Sequence, residues 1–83
     1  MVKPEIKEKM KKVMARIFGV GEEVIKDDSS MSSLDSWDSL RHINLIIALE
    51  QEFDISFPDE EITLLTSAHL LGMAVSEAVE RKK

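Results

Sequence analysis

Ser39 is the residue of this sequence with the most to offer chemically. It follows Asp38 and precedes Leu40, where a polar stretch gives way to the most hydrophobic helical segment of the chain, and His42 stands one helical turn further on. A hydroxyl in the first turn of a helix faces unpaired backbone N–H groups and the positive end of the macrodipole. An anion attached there would be held favourably, which makes Ser39 a candidate modified site. The competing role is structural, because Ser and Asp are common helix caps and either Asp38 or Ser39 could serve as one. A third reading pairs Ser39 as nucleophile with His42 as base, since this spacing puts both on one helix face. No glycine-rich oxyanion loop accompanies the pair, and a lone histidine on a helix is far more often a surface residue, so no catalytic residue is assigned. His69 has no metal-binding partner at usable spacing, and no glycine-rich phosphate loop occurs.

The composition narrows the setting. Eighty-three residues, 43% of them apolar, suit one domain spanning 1–83 with one core. There is no cysteine, so disulfides, thiolate metal sites and a cysteine nucleophile are excluded, and any thiol chemistry must be imported. Sixteen acidic residues against eleven basic ones give a net charge of −5, which opposes binding to nucleic acid. From Ser36 to Ala78 the only Lys or Arg is Arg41, so the middle of the chain presents acids to solvent or to basic partners. The opening Met1-Val2-Lys3-Pro4-Glu5 has no apolar targeting core and no run is long enough to span a membrane; a cytoplasmic protein is expected.

The elements that must position Ser39 follow from periodicity. Pro4 suits a first helical turn, and Ile6, Met10, Val13, Met14, Ile17 and Phe18 form one apolar stripe that Gly19 and Gly21 bring to an end. Val20, Val24 and Ile25 are the expected anchors of a long loop from about residue 19 to 38. Its stretch Asp27-Asp28-Ser29-Ser30-Met31-Ser32-Ser33 lacks the ligand pattern of a calcium loop. Helix two runs from Ser39 to about Phe53, with its apolar residues spread over about 220° of the helical wheel. That arc is wider than one packed stripe needs, so Leu45, Ile46, Leu49 and Phe53 are expected in the core and Leu40 and Ile47 at a partly exposed edge. Ile55 and Phe57 turn inward along a short connection, Pro58 to Ile62 start a short third helix, and Thr66 or Ser67 caps a last one. In that last helix Leu71, Ala74, Val75, Ala78 and Val79 face the core, Gly72 permits a close approach, and Arg81 to Lys83 complement the C-terminal dipole. The expected fold class is all-α: a small four-helix bundle of three main helices and one short one.

Asp38-Ser39-Leu40, then Ile43, Leu45, Ile46, Ala48-Leu49-Glu50, Glu52-Phe53 and Phe57-Pro58-Asp59-Glu60-Glu61-Ile62, resembles an acyl carrier protein over nearly the whole chain. The resemblance implies that Ser39, beside its motif neighbour Asp38, carries a covalent 4'-phosphopantetheine arm derived from coenzyme A. The arm's thiol would hold acyl groups as thioesters. It further implies a monomeric carrier rather than a catalyst, served by a phosphopantetheinyl transferase and by acyl-loading and acyl-processing enzymes with basic docking surfaces. Leu40 and Ile47 would form the apolar docking face, with Glu50, Glu52 and, further off, Glu60 and Glu61 as its acids. Asp38 would cap helix two.

The chain departs from carriers of fatty-acid synthesis in having Ser36-Trp37 where a glycine is usual ahead of the motif, and Arg41-His42 where acids usually follow it. This points to lipid metabolism of a specialised or polyketide-type kind, and adds Trp37 and Arg41 to the docking set, Trp37 alternatively serving as a plug over the loop. An aminoacyl or peptidyl carrier using the same serine, and an unmodified helical adaptor binding through helix two, remain as alternatives.

Overall fold

The computed structural model describes residues 3–26 and 28–82, so that Asp27 of the loop and Lys83 of the basic terminus lie outside the described residues. It contains four α-helices, α1 (Pro4–Phe18), α2 (Ser39–Phe53), α3 (Asp59–Ile62) and α4 (Ala68–Arg81), with a short 3₁₀ helix, Glu22–Val24, in the first loop. No β-strand forms among the described residues. A lone antiparallel bridge joins Ser30 to Ser67.

Each helix starts and stops for a local reason. Pro4 opens α1, and Gly19 closes it in the left-handed region (φ 70°), where the N–H groups of Gly19 and Val20 both reach the Ala15 carbonyl. At the end of α2, Asp54 adopts φ 56°, and its N–H and that of Ile55 converge on the Glu50 carbonyl. Lys82, just beyond α4, donates to the Phe53 carbonyl and to the Asp54 carboxylate at 3.2 Å each, which ties the ends of α2 and α4 together. Ser67 caps α4 by accepting from the Leu70 N–H.

The core is one cluster: Ile6, Met10, Val13, Met14 and Phe18 of α1 meet Leu45, Ile46 and Leu49 of α2 and Leu71 and Val75 of α4, with Ile25, Trp37, Phe57 and Leu65 closing it. Phe53, Ile17 and Ile55 are half-buried against its edge, and Gly72 is buried on the inner face of α4. Val24 departs from expectation. It is exposed, because the 3₁₀ turn directs Ile25, not Val24, into the core.

The long loop is more ordered than its polar composition suggests. Met31 N–H donates to the Thr66 carbonyl and Ala68 N–H to the Ser29 carbonyl, so the loop docks on the start of α4. Its hydroxyls serve local turns: Ser29 Oγ accepts from the Lys26 N–H, and Ser33 Oγ accepts from the Ser30 N–H. Among the described residues no cluster of acids and histidines could hold a metal.

α2 thus has a load-bearing side and a free one. Leu49→Ala should cost about 2–5 kcal/mol in urea denaturation, from lost burial plus the cavity left behind. Ile47→Ala, on the open edge, should stay within about 0.5–1 kcal/mol of wild type in the same titration.

Candidate functional site

Ser39 is the first residue of α2 and is exposed. Its side chain makes no hydrogen bond among the described residues, because capping falls to the residue before it. Asp38 Oδ1 accepts from the Arg41 N–H at 2.8 Å, and the Asp38 carbonyl accepts from the His42 N–H at 2.8 Å. The N–H groups of Ser39 and Leu40 are left without an intrahelical partner, beside an unbonded hydroxyl, at the positive end of a helix of fifteen residues.

The cation in this first turn opposes the helix dipole, and the structure shows what offsets it. Arg41 Nη1 reaches the second carboxylate oxygen, Asp38 Oδ2, at 3.1 Å. One carboxylate therefore satisfies both the backbone and the side chain of Arg41. The pair is about half exposed, so its worth is of the order of 0.2–1 kcal/mol. Its larger effect is to fix the charge pattern on either side of Ser39.

Behind the serine the site is apolar and closed. Trp37 is 1% exposed, with its ring 5.2 Å from that of Phe18, so it is the plug over the core and not a surface for docking. So large a ring gains more by leaving water than by waiting at the surface. His42, expected at the surface, is likewise buried. Trp37 Nε1–H donates to His42 Nδ1 at 3.1 Å, and His42 Nε2 lies 2.7 Å from the Ile62 carbonyl on α3. Indole N–H can only donate, so Nδ1 must be the accepting nitrogen and Nε2 carries the proton that it gives to Ile62. With both ring nitrogens engaged, His42 has no free position with which to take the Ser39 proton.

The remaining docking residues divide. Leu40 is 72% exposed and Ile47 48%, as the helical wheel implies; Ile43 is as open as Ile47, so the three make an apolar ridge at spacings of three and four. Glu52 is exposed at the far end. Glu50 is different: it is half-buried and its Oε2 accepts from the Phe57 N–H at 2.9 Å, so it holds the turn after α2 in place. Leu64, exposed at the corner after α3, adds apolar surface that periodicity gave no reason to single out.

Fold and site together define a small helical carrier: a bundle whose long loop delivers an unencumbered serine to the head of its second helix. A model of the phosphopantetheine attachment site matches residues 8–74, from within α1 to the middle of α4. The solution NMR structure of the holo acyl carrier protein from Geobacter metallireducens is similar at 29% identity and a TM-score of 0.82, over 92% of this chain and 87% of that one. The chain belongs to the phosphopantetheine-attachment family and is an acyl carrier protein, with covalently attached 4'-phosphopantetheine as its cofactor.

Asp38→Ala should destabilise the protein by about 1 kcal/mol in thermal or urea denaturation, the usual cost of a lost N-cap. Asp38→Asn keeps the accepting oxygen and should recover most of that loss. Equal losses in the two variants would assign the effect to the Arg41 pair instead.

Proposed function

We propose that Ser39 is the attachment residue and that the chain is a carrier, not an enzyme: a monomeric, cytoplasmic domain spanning 1–83 that moves acyl groups between partner enzymes. The observation that carries this reading is the condition of the Ser39 hydroxyl, exposed and without a hydrogen bond at the head of α2, with structural duty taken over by Asp38. In the modifying reaction a separate phosphopantetheinyl transferase directs this hydroxyl onto the phosphorus of coenzyme A joined to the pantetheine. The Oγ–P bond forms, the pyrophosphate bond breaks, adenosine 3',5'-bisphosphate leaves, and the serine proton passes to a base on the transferase. Once attached, the arm supplies a thiol that holds the acyl group as a thioester. The chain, which has no cysteine, contributes the presentation of that arm.

Docking is proposed on the same side of α2. The ridge of Leu40, Ile43 and Ile47 offers apolar contact beside the serine, and exposed Glu60 and Glu61 of α3 are proposed as its acids; Glu52, also exposed, stands about 150° round the helix from the middle of the ridge. Partners matched to it carry an apolar recess rimmed by Lys or Arg, in contacts quick to form and to release. No helix among the described residues is long and apolar enough to cross a membrane. The loss of acids at positions 41 and 42 relative to carriers of fatty-acid synthesis supports a specialised lipid or polyketide-type pathway.

Intact mass after incubation with coenzyme A, Mg²⁺ and a broad-specificity phosphopantetheinyl transferase should rise by one cofactor in the wild type and not at all in Ser39→Ala. Addition to the alanine variant moves the site elsewhere, and absence of addition to the wild type favours an unmodified adaptor.

Arg41, next to Leu40 of the docking ridge, is the sole Lys or Arg from residue 36 to 78, and it is proposed as a charge that the transferase reads directly. Arg41→Glu should raise kcat/KM for modification by a transferase with a basic docking face about threefold at low ionic strength, with the gain fading above about 0.5 M salt. A rate unchanged at both salt concentrations removes Arg41 from the choice of partner.

A further inference from the structure

We propose that Trp37 and His42 form a positioning device for the modification of Ser39, in which one imidazole holds both the segment that delivers the serine and the short helix α3. The proposal rests on Ser39 being the attachment residue. Trp37 lies two positions before the serine and His42 three after it, so the Nε1–H to Nδ1 bond at 3.1 Å closes a loop around it. The indole is packed on Phe18 at the end of α1, which references this closed loop to the body of the bundle.

The second half of the device is the 2.7 Å contact from His42 Nε2 to the Ile62 carbonyl. α3 has few holds of its own: Asp59, Glu60 and Glu61 are exposed, Ile62 is half-buried, and only Leu65 beyond it is buried. Glu50 and buried Phe57 hold the turn that leads into α3, and the His42 bond is the hold from α2 that reaches this acidic helix itself. The exposed Leu64, two residues past the anchored carbonyl, is set with it.

Packing alone does not account for the pair. Phenylalanine at 37 and leucine at 42 would fill similar space without two polar groups to satisfy, and replacing both partners of a buried hydrogen bond by apolar groups is often close to neutral for stability. What the polar pair adds is direction. Both bonds run from fixed ring atoms, and together they admit one tautomer and one ring orientation. The donor chain from Trp37 through His42 to Ile62 couples three segments that share no regular secondary structure.

The experiment compares wild type, the double variant Trp37→Phe/His42→Leu, and His42→Gln. Three readouts apply: the ¹⁵N shifts of the His42 ring, amide hydrogen exchange, and single-turnover transfer from coenzyme A by a broad-specificity transferase. The ring should be the Nε2–H tautomer; a proton on Nδ1 overturns the proposal. In the double variant the Leu64 and Leu65 amides should exchange about tenfold faster while those of α1 and α4 keep their protection. Modification should slow about tenfold in the same variant, because the hydroxyl is no longer held at one place. Wild-type transfer or wild-type exchange at α3 in a folded double variant overturns it. So does faster exchange spread evenly over all helices, which a packing role would give.

His42→Gln covers the case in which the double variant does not fold. Its amide can reach the Ile62 carbonyl but offers no acceptor at the Nδ1 position, so α3 exchange should stay within about twofold of wild type while transfer slows severalfold. The reverse pattern overturns the proposal. If wild type accepts no arm at all, the attachment reading fails, and the tautomer and exchange results still decide whether the tether exists.

Discussion

Burying the indole of Trp37 removes a large ring from water but also strands an N–H that can only donate. An unsatisfied donor at that depth costs on the order of 1–3 kcal/mol, enough to cancel much of the gain from the ring. The structure meets the requirement with a single acceptor, His42 Nδ1, and that choice propagates. It fixes the tautomer, the tautomer gives Nε2 a proton to donate, and the Ile62 carbonyl of α3 takes it. The end of the long loop, the first turn of α2 and α3 are thereby joined through one imidazole. No buried side-chain nitrogen or oxygen among the described residues lacks a partner, so the arrangement is complete as well as directional.

Trp37 apart, the largest fully buried side chains of the described residues belong to the long helices. α1, α4 and the inner face of α2 supply the fully buried side chains Met14, Leu45, Leu49, Leu71 and Val75. The outer face of α2, by contrast, leaves Leu40, Ile43 and Ile47 in water, at a cost in apolar exposure that the inner face can bear. A helix with one packed side and one apolar but uncovered side is suited to partners that come and go. The acids on α3 and at Glu52 keep such a surface soluble while favouring basic partners.

Legibility in the sequence followed range along the chain. The bounds of α1 and α2 and the open edge at Leu40 and Ile47 were readable, since each depends on neighbours within about one turn and on the helical period; the cap of α2 stood open between Asp38 and Ser39 until the family pattern favoured Asp38. His42 was not. Its environment is set by an indole outside the helix and by a carbonyl twenty residues away, and neither periodicity nor local propensity carries that information. The bond that Glu50 makes was hidden for the same reason, its partner being a backbone N–H seven residues on, across a turn whose geometry the sequence does not declare. The pairing of the loop's serines with the start of α4 is likewise a tertiary fact. Position 39 could be picked out because a hydroxyl at a helix head is a local feature; the family pattern around it, more than the serine itself, raised it above an ordinary cap.

A residue meant to be modified cannot also be needed to hold the fold, since the enzyme that modifies it would then have to break the structure it recognises. Here three neighbours relieve Ser39 of each duty its position would otherwise impose. Asp38 supplies the cap that serine could have made, Trp37 supplies the burial that anchors the approaching chain, and His42 supplies the link onward to α3. Arg41 is held to Asp38, so its charge stands beside the hydroxyl without occupying it. The side chain left over is exposed and unbonded, yet its backbone is fixed on both sides. That combination of a rigid position with an idle functional group is what the proposed attachment at Ser39 would use, and it is built from residues other than Ser39.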